Sequence, residues 1–442
     1  MSKIKTPEDH IVTSQLDNDF YNSLMCQLFL LKTLPRFGLS LGQIRVKFQL
    51  QIRTKGIPIT KYVPEQELRE EIEWAISVRL NRSEEHYYRG TNEYDDRMFR
   101  EETIGYWRTM HLVPLEINLK AEGDNYNLTI EGPIERMIFV EVPSLFCFTE
   151  IYYRHVLAEM TPLERDAVTA SGNLRLLESF NILKENPDIT VAGFDTRRRF
   201  SKDRQEYVTR MAAQELGEQF RGTSNTMFAQ MFGIMPIGTS SHAAQMIYAG
   251  ILEALFGVDA IPSALNMMLE DWWDLYGWGL SIFLPDTWTS EFFRRTVPPE
   301  IARKWKGFRV DSEDPIIACP KWRDWYTCHG VDSKDRLALP SDGLSVPKMV
   351  AVRDAIREYF KYSFGWGGGL GNNMGNPTGH PFMMPISIVM KPIEIIIGDK
   401  RVGLVKIGDN PAKASGTRAD IAKYVRVLNL DIDSLVYKAC EY

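Results

Sequence analysis

Residues 43–53 read QIRVKFQLQIR, apolar and polar positions alternating with a period of two, which predicts a half-buried strand. Residues 65–81 carry their apolar positions at helical spacing and predict a helix. Residues 126–131 and 136–141 predict two further strands, and residues 145–160 a helix. Beyond about residue 180 the rhythm changes. Short apolar runs each end in polar residues able to do chemistry, and most lead into a helical stretch. Residues 190–194 end in Asp195-Thr196-Arg197-Arg198-Arg199, and residues 231–237 end in Gly238-Thr239-Ser240-Ser241-His242 before a helix over 243–256. Residues 281–284 lead to Asp286-Thr287, residues 307–310 to Asp311-Ser312, and residues 337–339 to Ser341-Asp342-Gly343. Residues 360–364 lead to Gly365-Trp366-Gly367-Gly368-Gly369. Strand, functional loop and helix in repetition predict an irregular (β/α) barrel with its chemistry at the C-terminal ends of the strands. The chain then returns to strands at 386–390, 393–397 and 403–407 and closes with a helix. These late strands need partners, so the expected architecture is α/β. Residues 386–442 are expected to complete the unit begun by residues 1–150, with residues 151–385 as the barrel.

The chain has 442 residues, 44% hydrophobic and 25% charged, a mix able to build a large core. Its formal net charge of −6 gives no overall drive toward nucleic acid or an anionic membrane, so any anionic ligand must be held by local Arg and Lys. The first residues are polar and acidic without an apolar signal core, and no run is long enough to span a bilayer. Cys26, Cys147, Cys319, Cys328 and Cys440 are scattered without C-x-x-C spacing, which predicts a reducing cytoplasm and no structural zinc. P-loop, G-x-G-x-x-G and H-E-x-x-H strings are missing. The one G-x-S-x-G string, Gly38 to Gly42, leads into a strand and so lacks the strand-to-helix context of a nucleophile elbow.

What remains is a set of anion-handling loops. His242 opens a helix after Gly-Thr-Ser-Ser, among backbone N–H groups that welcome an anion and disfavour a cation. A neutral imidazole there is available as a nucleophile toward phosphorus, although a buried or capping histidine has the same pattern. Arg197, Arg198, Arg199, Lys202 and Arg204 form a basic run suited to carboxylate and phosphate, or a solvated surface loop. The glycines from 365 to 371 let backbone N–H groups approach a phosphate, or simply make a flexible loop. Arg309 and Asp311, on alternate strand residues, point to one side. Asp342 can cap a turn or hold ribose hydroxyls, and Tyr21 and Phe194 are aromatic residues of either core or ligand platform.

Taken in order, these strings resemble the nicotinate phosphoribosyltransferases, type II phosphoribosyltransferases of NAD salvage, over nearly the whole chain. Leu16-Asp17-Asn18-Asp19-Phe20-Tyr21 is similar to the family's L-D-T-D-x-Y, and Phe194 to Ser201 to F-G-T-R-R-R-F-S. Gly222-Thr223-Ser224-Asn225 matches G-T-S-N, and residues 236–242 resemble P-x-G-T-x-x-H. Residues 284–287, 309–315 and 341–344 resemble L-x-D-T, R-x-D-S-G-D-P and S-D-G-L. Residues 364–370, FGWGGGL, resemble the phosphate loop F-G-x-G-T-x-L and still more the F-G-S-G-G-G-L of nicotinamide-using sister enzymes, while residues 406–410 resemble K-x-S-D. Glu313, Ala243, Gly408 and Asp195 depart from the family's usual Gly, Glu, Ser and Gly, and Glu313 adds a negative charge near the expected pyrophosphate site.

The resemblance implies an α/β sandwich built from both chain ends, nicotinate and phosphoribosyl diphosphate as substrates, ATP as co-substrate, Mg²⁺, and a cytoplasmic homodimer in which Tyr21 reaches the partner's site. It places the 5-phosphate on Ser341, Asp342, Gly343 and Gly367, Gly368 and Gly369. Asp311 binds ribose hydroxyls or metal, with Arg309 near base and pyrophosphate. Phe194 and Tyr21 sandwich the pyridine, Arg197 faces its carboxylate, and Thr223 and Ser224 lie nearby, Ser224 replacing the Asp of nicotinamide enzymes. ATP phosphorylates His242, whose imidazole Asp286 orients by a hydrogen bond. The alternatives left open are a nicotinamide-using enzyme and a catalytically impaired, nucleotide-binding relative.

Overall fold

The computed structural model describes residues 5–93 and 96–431, so Cys440 and the rest of the C-terminal end lie outside the described residues. The strand expected at 43–53 is β1 (Ile44–Ile52). Ile44, Val46, Phe48 and Leu50 are buried, and the alternate positions face outward, as a two-residue period requires. A short antiparallel pair follows, β2 (Asn92–Glu93) and β3 (Asp96–Arg97). Then come β4 (Glu116–Glu122) and β5 (Asn125–Pro133). Near the other end of the chain stand β13 (Ile388–Ile397) and β14 (Lys400–Gly403). They join the first strands in one five-stranded sheet, order β14-β13-β1-β5-β4.

Two late strands were expected at 386–390 and 393–397, and the structure forms one. Its register against β1 slips where Lys47 faces Glu394 and Phe48 faces Pro392. Pro392 has no N–H to give the ladder, and a bulge absorbs it without ending the strand. The strand expected at 403–407 is displaced: β14 ends at Gly403, and beyond it only Lys406 pairs, in an isolated bridge to Ser415. Residues 136–141 are not a strand either. They join the helices Ile134–Met137 and Glu141–Ala158, and Ile138, Phe139 and Val140 are buried between them. A short run buried on all sides reads the same whether helical or extended.

The middle of the chain supplies parallel strands: β6 (Val191–Gly193), β7 (Phe220–Thr223), β8 (Ile282–Phe283), β9 (Gly307–Val310), β10 (Leu337–Pro340), β11 (Lys361–Tyr362) and β12 (Phe364–Trp366). They form two sheets, β11-β10-β9-β8 and β12-β6-β7. Residues 361–366 connect the two, since β11 pairs with β10 and β12 with β6. Among the described residues no strand pairing joins β7 to β8, so a closed ring of hydrogen bonds is not formed. The run 231–237 contributes one bridge, Pro236 to Thr223, because residues 226–232 form a helix that ends at Gly233 with φ 62°. Asn225 starts that helix by accepting from the N–H groups of Met227 and Phe228. Behind β8 and β9, Phe283, Phe293, Phe308, Trp322 and Trp325 pack edge and face to fix the strand ends.

Candidate active site

The C-terminal ends of β6, β9, β10 and β12 open into a cleft of ≈ 380 Å³. Phe194, Arg197, Arg309, Asp311, Ser341, Asp342, Gly343, Gly367, Gly368 and Gly369 all line it. Phe194 lies against Gly365, where a Cβ would stand 2.5 Å from its ring. The Arg309 guanidinium sits 5.6 Å from the centre of that ring. Ser341 Oγ accepts from Arg309 Nε at 2.8 Å and donates to Asp311 Oδ1 at 3.2 Å, while Arg309 Nη2 donates to the same carboxylate oxygen at 2.5 Å. Burial opposes charge on Asp311, but Arg309 holds its carboxyl well below the usual range.

The opposite wall comes from the antiparallel sheet and the chain after it: Arg53, Ser387, Val389, Lys391, Lys406 and Lys413. Sequence reading assigned no role to these cations. A lone Lys within the apolar run of β13, and another within residues 404–407, was the available signal. Burial, then the nearby Lys406 charge, lowers Lys391 to about 7. Asp342, expected on a phosphate, instead pairs with Lys413 at 2.8 Å and is more than half exposed.

His242 opens the helix His242–Phe256 and is buried just behind this wall. Lys406 Nζ stands 2.7 Å from its Nε2 and Thr287 Oγ1 3.0 Å from its Nδ1. An ammonium can only donate, so Nε2 bears the lone pair and Nδ1 the proton. Burial, then Lys406, lowers the imidazole to about 4. The hydrogen bond expected from Asp286 is not made. Its Oδ1 is 3.8 Å from Nε2 and its Oδ2 accepts from Ser312 Oγ at 2.5 Å, while Thr287 holds Nδ1 and Asp311 Oδ2 lies 3.3 Å from Nε2. His242, Asp286 and Asp311 bring ligand atoms within 4.8 Å of one another, but Lys406 already places a cation among them. That set does not suit a resident metal. Asp311 alone, in the cleft wall, fits an ion that arrives with phosphates. The hydroxyls of Ser240 and Ser241, at the start of the same helix, are buried without hydrogen-bond partners.

The basic run 197–204 divides. Arg197 and Arg198 face the cleft. Arg199 is fully buried, forked onto Asp17 at 2.7 and 3.0 Å and stacked on Phe146. Lys202 reaches Thr13, and Arg204 reaches Asn173 and the Gly172 carbonyl, so these three are structural. Tyr21, Thr223 and Ser224 gather beside Arg197. Tyr21 donates to Glu141 at 3.3 Å, and Arg197 lies 3.7 Å from Glu141 and 3.9 Å from Asp19. Ser224 Oγ donates to Asp19 Oδ1 at 2.5 Å, so its proton is already committed within the chain. Thr223 Oγ1 accepts from the Asn225 N–H and serves the turn. Tyr21 and Arg197 thus approach the same carboxylate, Glu141, within one chain. Glu313 turns outward onto Lys321 and brings no charge into the cleft. Asp195 lines the cleft, its carboxyl raised by burial to about 7 and donated to by Gln205 at 3.2 Å.

Residues 189–431 match the nicotinate phosphoribosyltransferase (NAPRTase) family. The fold is that of solved structures of two such enzymes. A nicotinate phosphoribosyltransferase from Vibrio cholerae is 24% identical, with TM-score 0.80, covering 97% of this chain and 96% of its own. One from Porphyromonas gingivalis is 23% identical, with TM-score 0.78, covering 95% of this chain and 100% of its own.

Proposed function

Because the chain belongs to the nicotinate phosphoribosyltransferase family, we propose that it makes nicotinate mononucleotide in NAD salvage. Nicotinate, phosphoribosyl diphosphate, ATP and water would give the mononucleotide, diphosphate, ADP and phosphate. The observation that carries this reading is the cleft in which Phe194, the glycine loop and Ser341 face a wall of Arg and Lys.

In this reading the 5-phosphate lies on Ser341, Gly343 and the N–H groups of Gly367, Gly368 and Gly369. The diphosphate faces Arg198, Arg309, Lys391 and Lys406. The pyridine rests on Phe194, with Tyr21 nearby and Arg197 toward its carboxylate. The C1–O bond breaks with its electron pair leaving on diphosphate, and the ring nitrogen lone pair forms the C1–N bond. Asp311 stabilises the positive charge that builds on the ribose. Mg²⁺, carried by the phosphates, would meet Asp311 and neutralise phosphate charge. His242 Nε2 takes the γ-phosphoryl from ATP as ADP leaves, Thr287 holds Nδ1, and Lys406 shifts onto the transferred oxygens. Water later cleaves the P–N bond to give phosphate. The buried Ser240 and Ser241 hydroxyls and the helix start support this acceptor role.

The proposal includes the sandwich of 1–150 with 386–442 and the barrel of 151–385, supported by the sheet that unites β1 with β13. It includes a cytoplasmic setting, supported by the free Cys26, Cys147, Cys319 and Cys328. No helix among the described residues is long and apolar enough to cross a membrane. A homodimer remains part of the reading, with the Tyr21 placement arguing that each chain holds its own site.

Nicotinamide as the base has one observation in its favour, the Asp19 carboxylate beside Ser224; Arg197 favours the acid. The test is to incubate the protein with phosphoribosyl diphosphate, Mg²⁺ and either base, with and without ATP. The expected product is nicotinate mononucleotide, more with ATP. Better use of nicotinamide would reassign the base, and no product at all would leave a nucleotide-binding protein.

A further inference from the structure

Behind the segment that carries Asp19 and Tyr21 lies a second cavity, with ≈ 30 Å³ open to the centre of a water-sized sphere. Each water needs roughly 10–15 Å³ by this measure, so the space takes a few waters or one small anion. Arg136 lines it at 5% exposure. One of its N–H groups donates to the Ile76 carbonyl at 2.9 Å, in the last turn of the helix Glu65–Ser77. Among the described residues it makes no other hydrogen bond and no ion pair. A guanidinium has five donors and does not shed its charge near neutral pH, and a buried charge without a counter-charge is costly. Burial lowers it to about 10, and among the described residues the ionisable group that offsets this is the Tyr106 phenol, itself kept protonated by burial.

His111 stands in the same wall, with its Nδ1 buried and without a hydrogen-bond partner. Its pKa is lowered, first by burial and then by the charges of Arg79 and Arg136, so the electrostatic surroundings are cationic. The one carboxylate in the lining, Asp17, is taken up by Arg199 and Asn225. Ser14 and Gln15 add polar atoms at the rim.

We propose that this cavity is a second anion site, binding a small inorganic oxyanion of the phosphate type through Arg136 and His111. The open edge of the guanidinium fork suits two oxygens of such an ion. The site is linked to the candidate active site through the segment that carries Asn18 and Asp19. Asn18, in the cavity lining, donates to the Phe139 carbonyl at 3.0 Å and accepts from the Asp19 N–H at 3.0 Å. Glu141, which holds Tyr21, follows two residues after Phe139. An anion on Arg136 therefore braces the back of the segment that presents Asp19 and Tyr21.

The test uses selenate, whose anomalous scattering locates it in crystals of the full chain. Peaks in the cleft around Arg197 and Arg309 serve as an internal control. One further peak is expected within hydrogen-bonding distance of Arg136. It should vanish in Arg136→Met while the cleft peaks stay. Cleft peaks alone in the wild type, or a peak that survives Arg136→Met, would overturn the site. In solution at constant ionic strength, inorganic phosphate should raise the thermal midpoint more in the wild type than in Arg136→Met. Equal gains, or an equal gain from chloride, would count against it. Should Arg136→Met fail to fold, His111→Leu at the half-buried rim is expected to weaken selenate binding about tenfold, the equivalent of one hydrogen bond to a charged group. Unchanged binding in that variant would reject the assignment.

Discussion

Lys406 Nζ and His242 Nε2 stand 2.7 Å apart, an ammonium donating to the nitrogen that would accept a phosphoryl group. Burial first and this contact second keep the imidazole neutral, and the contact points its lone pair toward the cleft wall. Replacing Lys406 by Met is expected to lift the His242 pKa from about 4 toward the ordinary 6.5. ATP-stimulated synthesis should fall by roughly 10²-fold, the scale on which a lost electrostatic stabiliser acts. NMR titration of the imidazole and an ADP-release assay check the two parts.

In the wild type the lowered His242 pKa has a pH signature. The ring stays neutral as pH falls from 7 to 5.5, so ATP stimulation should not halve near 6.5 as it would for an ordinary histidine. The sign for stability follows. The unfolded chain binds this proton below about 6.5, but the folded chain binds it only near 4, so His242 weakens the fold as pH drops through that window. His242→Asn should lose both the ATP stimulation and this part of the acid destabilisation, measured by denaturation at pH 7 and pH 5.

Lys391 titrates near 7, first because it is buried and then because Lys406 is close. Below that pH it is charged and attracts phosphate; above it the attraction fades. KM for phosphoribosyl diphosphate is expected to rise by up to about tenfold per pH unit between 7 and 9. Lys391→Met should raise KM at pH 7 and flatten the profile, as steady-state kinetics across that range would reveal.

Tyr21 and Arg197 both approach Glu141 within one chain, which favours a site within each chain over the shared site that the resemblance implies. Mixing inactive Tyr21→Ala protein with inactive Asp311→Ala protein should then restore no activity. Recovery on mixing would mean that the partner completes the site.

Arg199 and Asp17 are both fully buried and forked together. Asp17→Ala removes the forked partner and leaves the buried guanidinium with Glu150 at 3.5 Å and Gln205 at 3.2 Å, and should cost about 3 kcal/mol in urea unfolding. Adding Arg199→Met, which removes the guanidinium that lost its closest counter-charge, is expected to return part of that loss.

Much of this was legible in the residues. The alternation in β1 told its faces, and the loops after the parallel strands held Phe194, Arg309, Asp311 and Ser341, which the fold brings to one cleft. What local reading missed depends on distant partners. Whether Arg197 or Arg199 faces a ligand rests on Asp17, 182 residues away from Arg199. The imidazole partner Lys406 lies 164 residues from His242. Residues 136–141 misled because β-branched and aromatic side chains suit a buried linker between helices as well as a strand. The two strands expected at 386–390 and 393–397 are one because a bulge accommodates Pro392 without interrupting the pairing.

The seating of β1 between β5 and β13 also sets a timetable for biosynthesis. A ribosome makes β1 some 340 residues before β13, counted from Ile44 to Ile388. Throughout that interval one edge of β1 has no native strand to pair with, and an open edge invites foreign pairing. The wall that holds Lys391 and Lys406 arrives with the same late segment. A nascent or truncated chain ending before residue 388 therefore lacks at once the closing strand of its sheet and three of the seven cations that line its cleft. Aggregation and loss of ligand binding should appear together in such a chain, as one defect of timing.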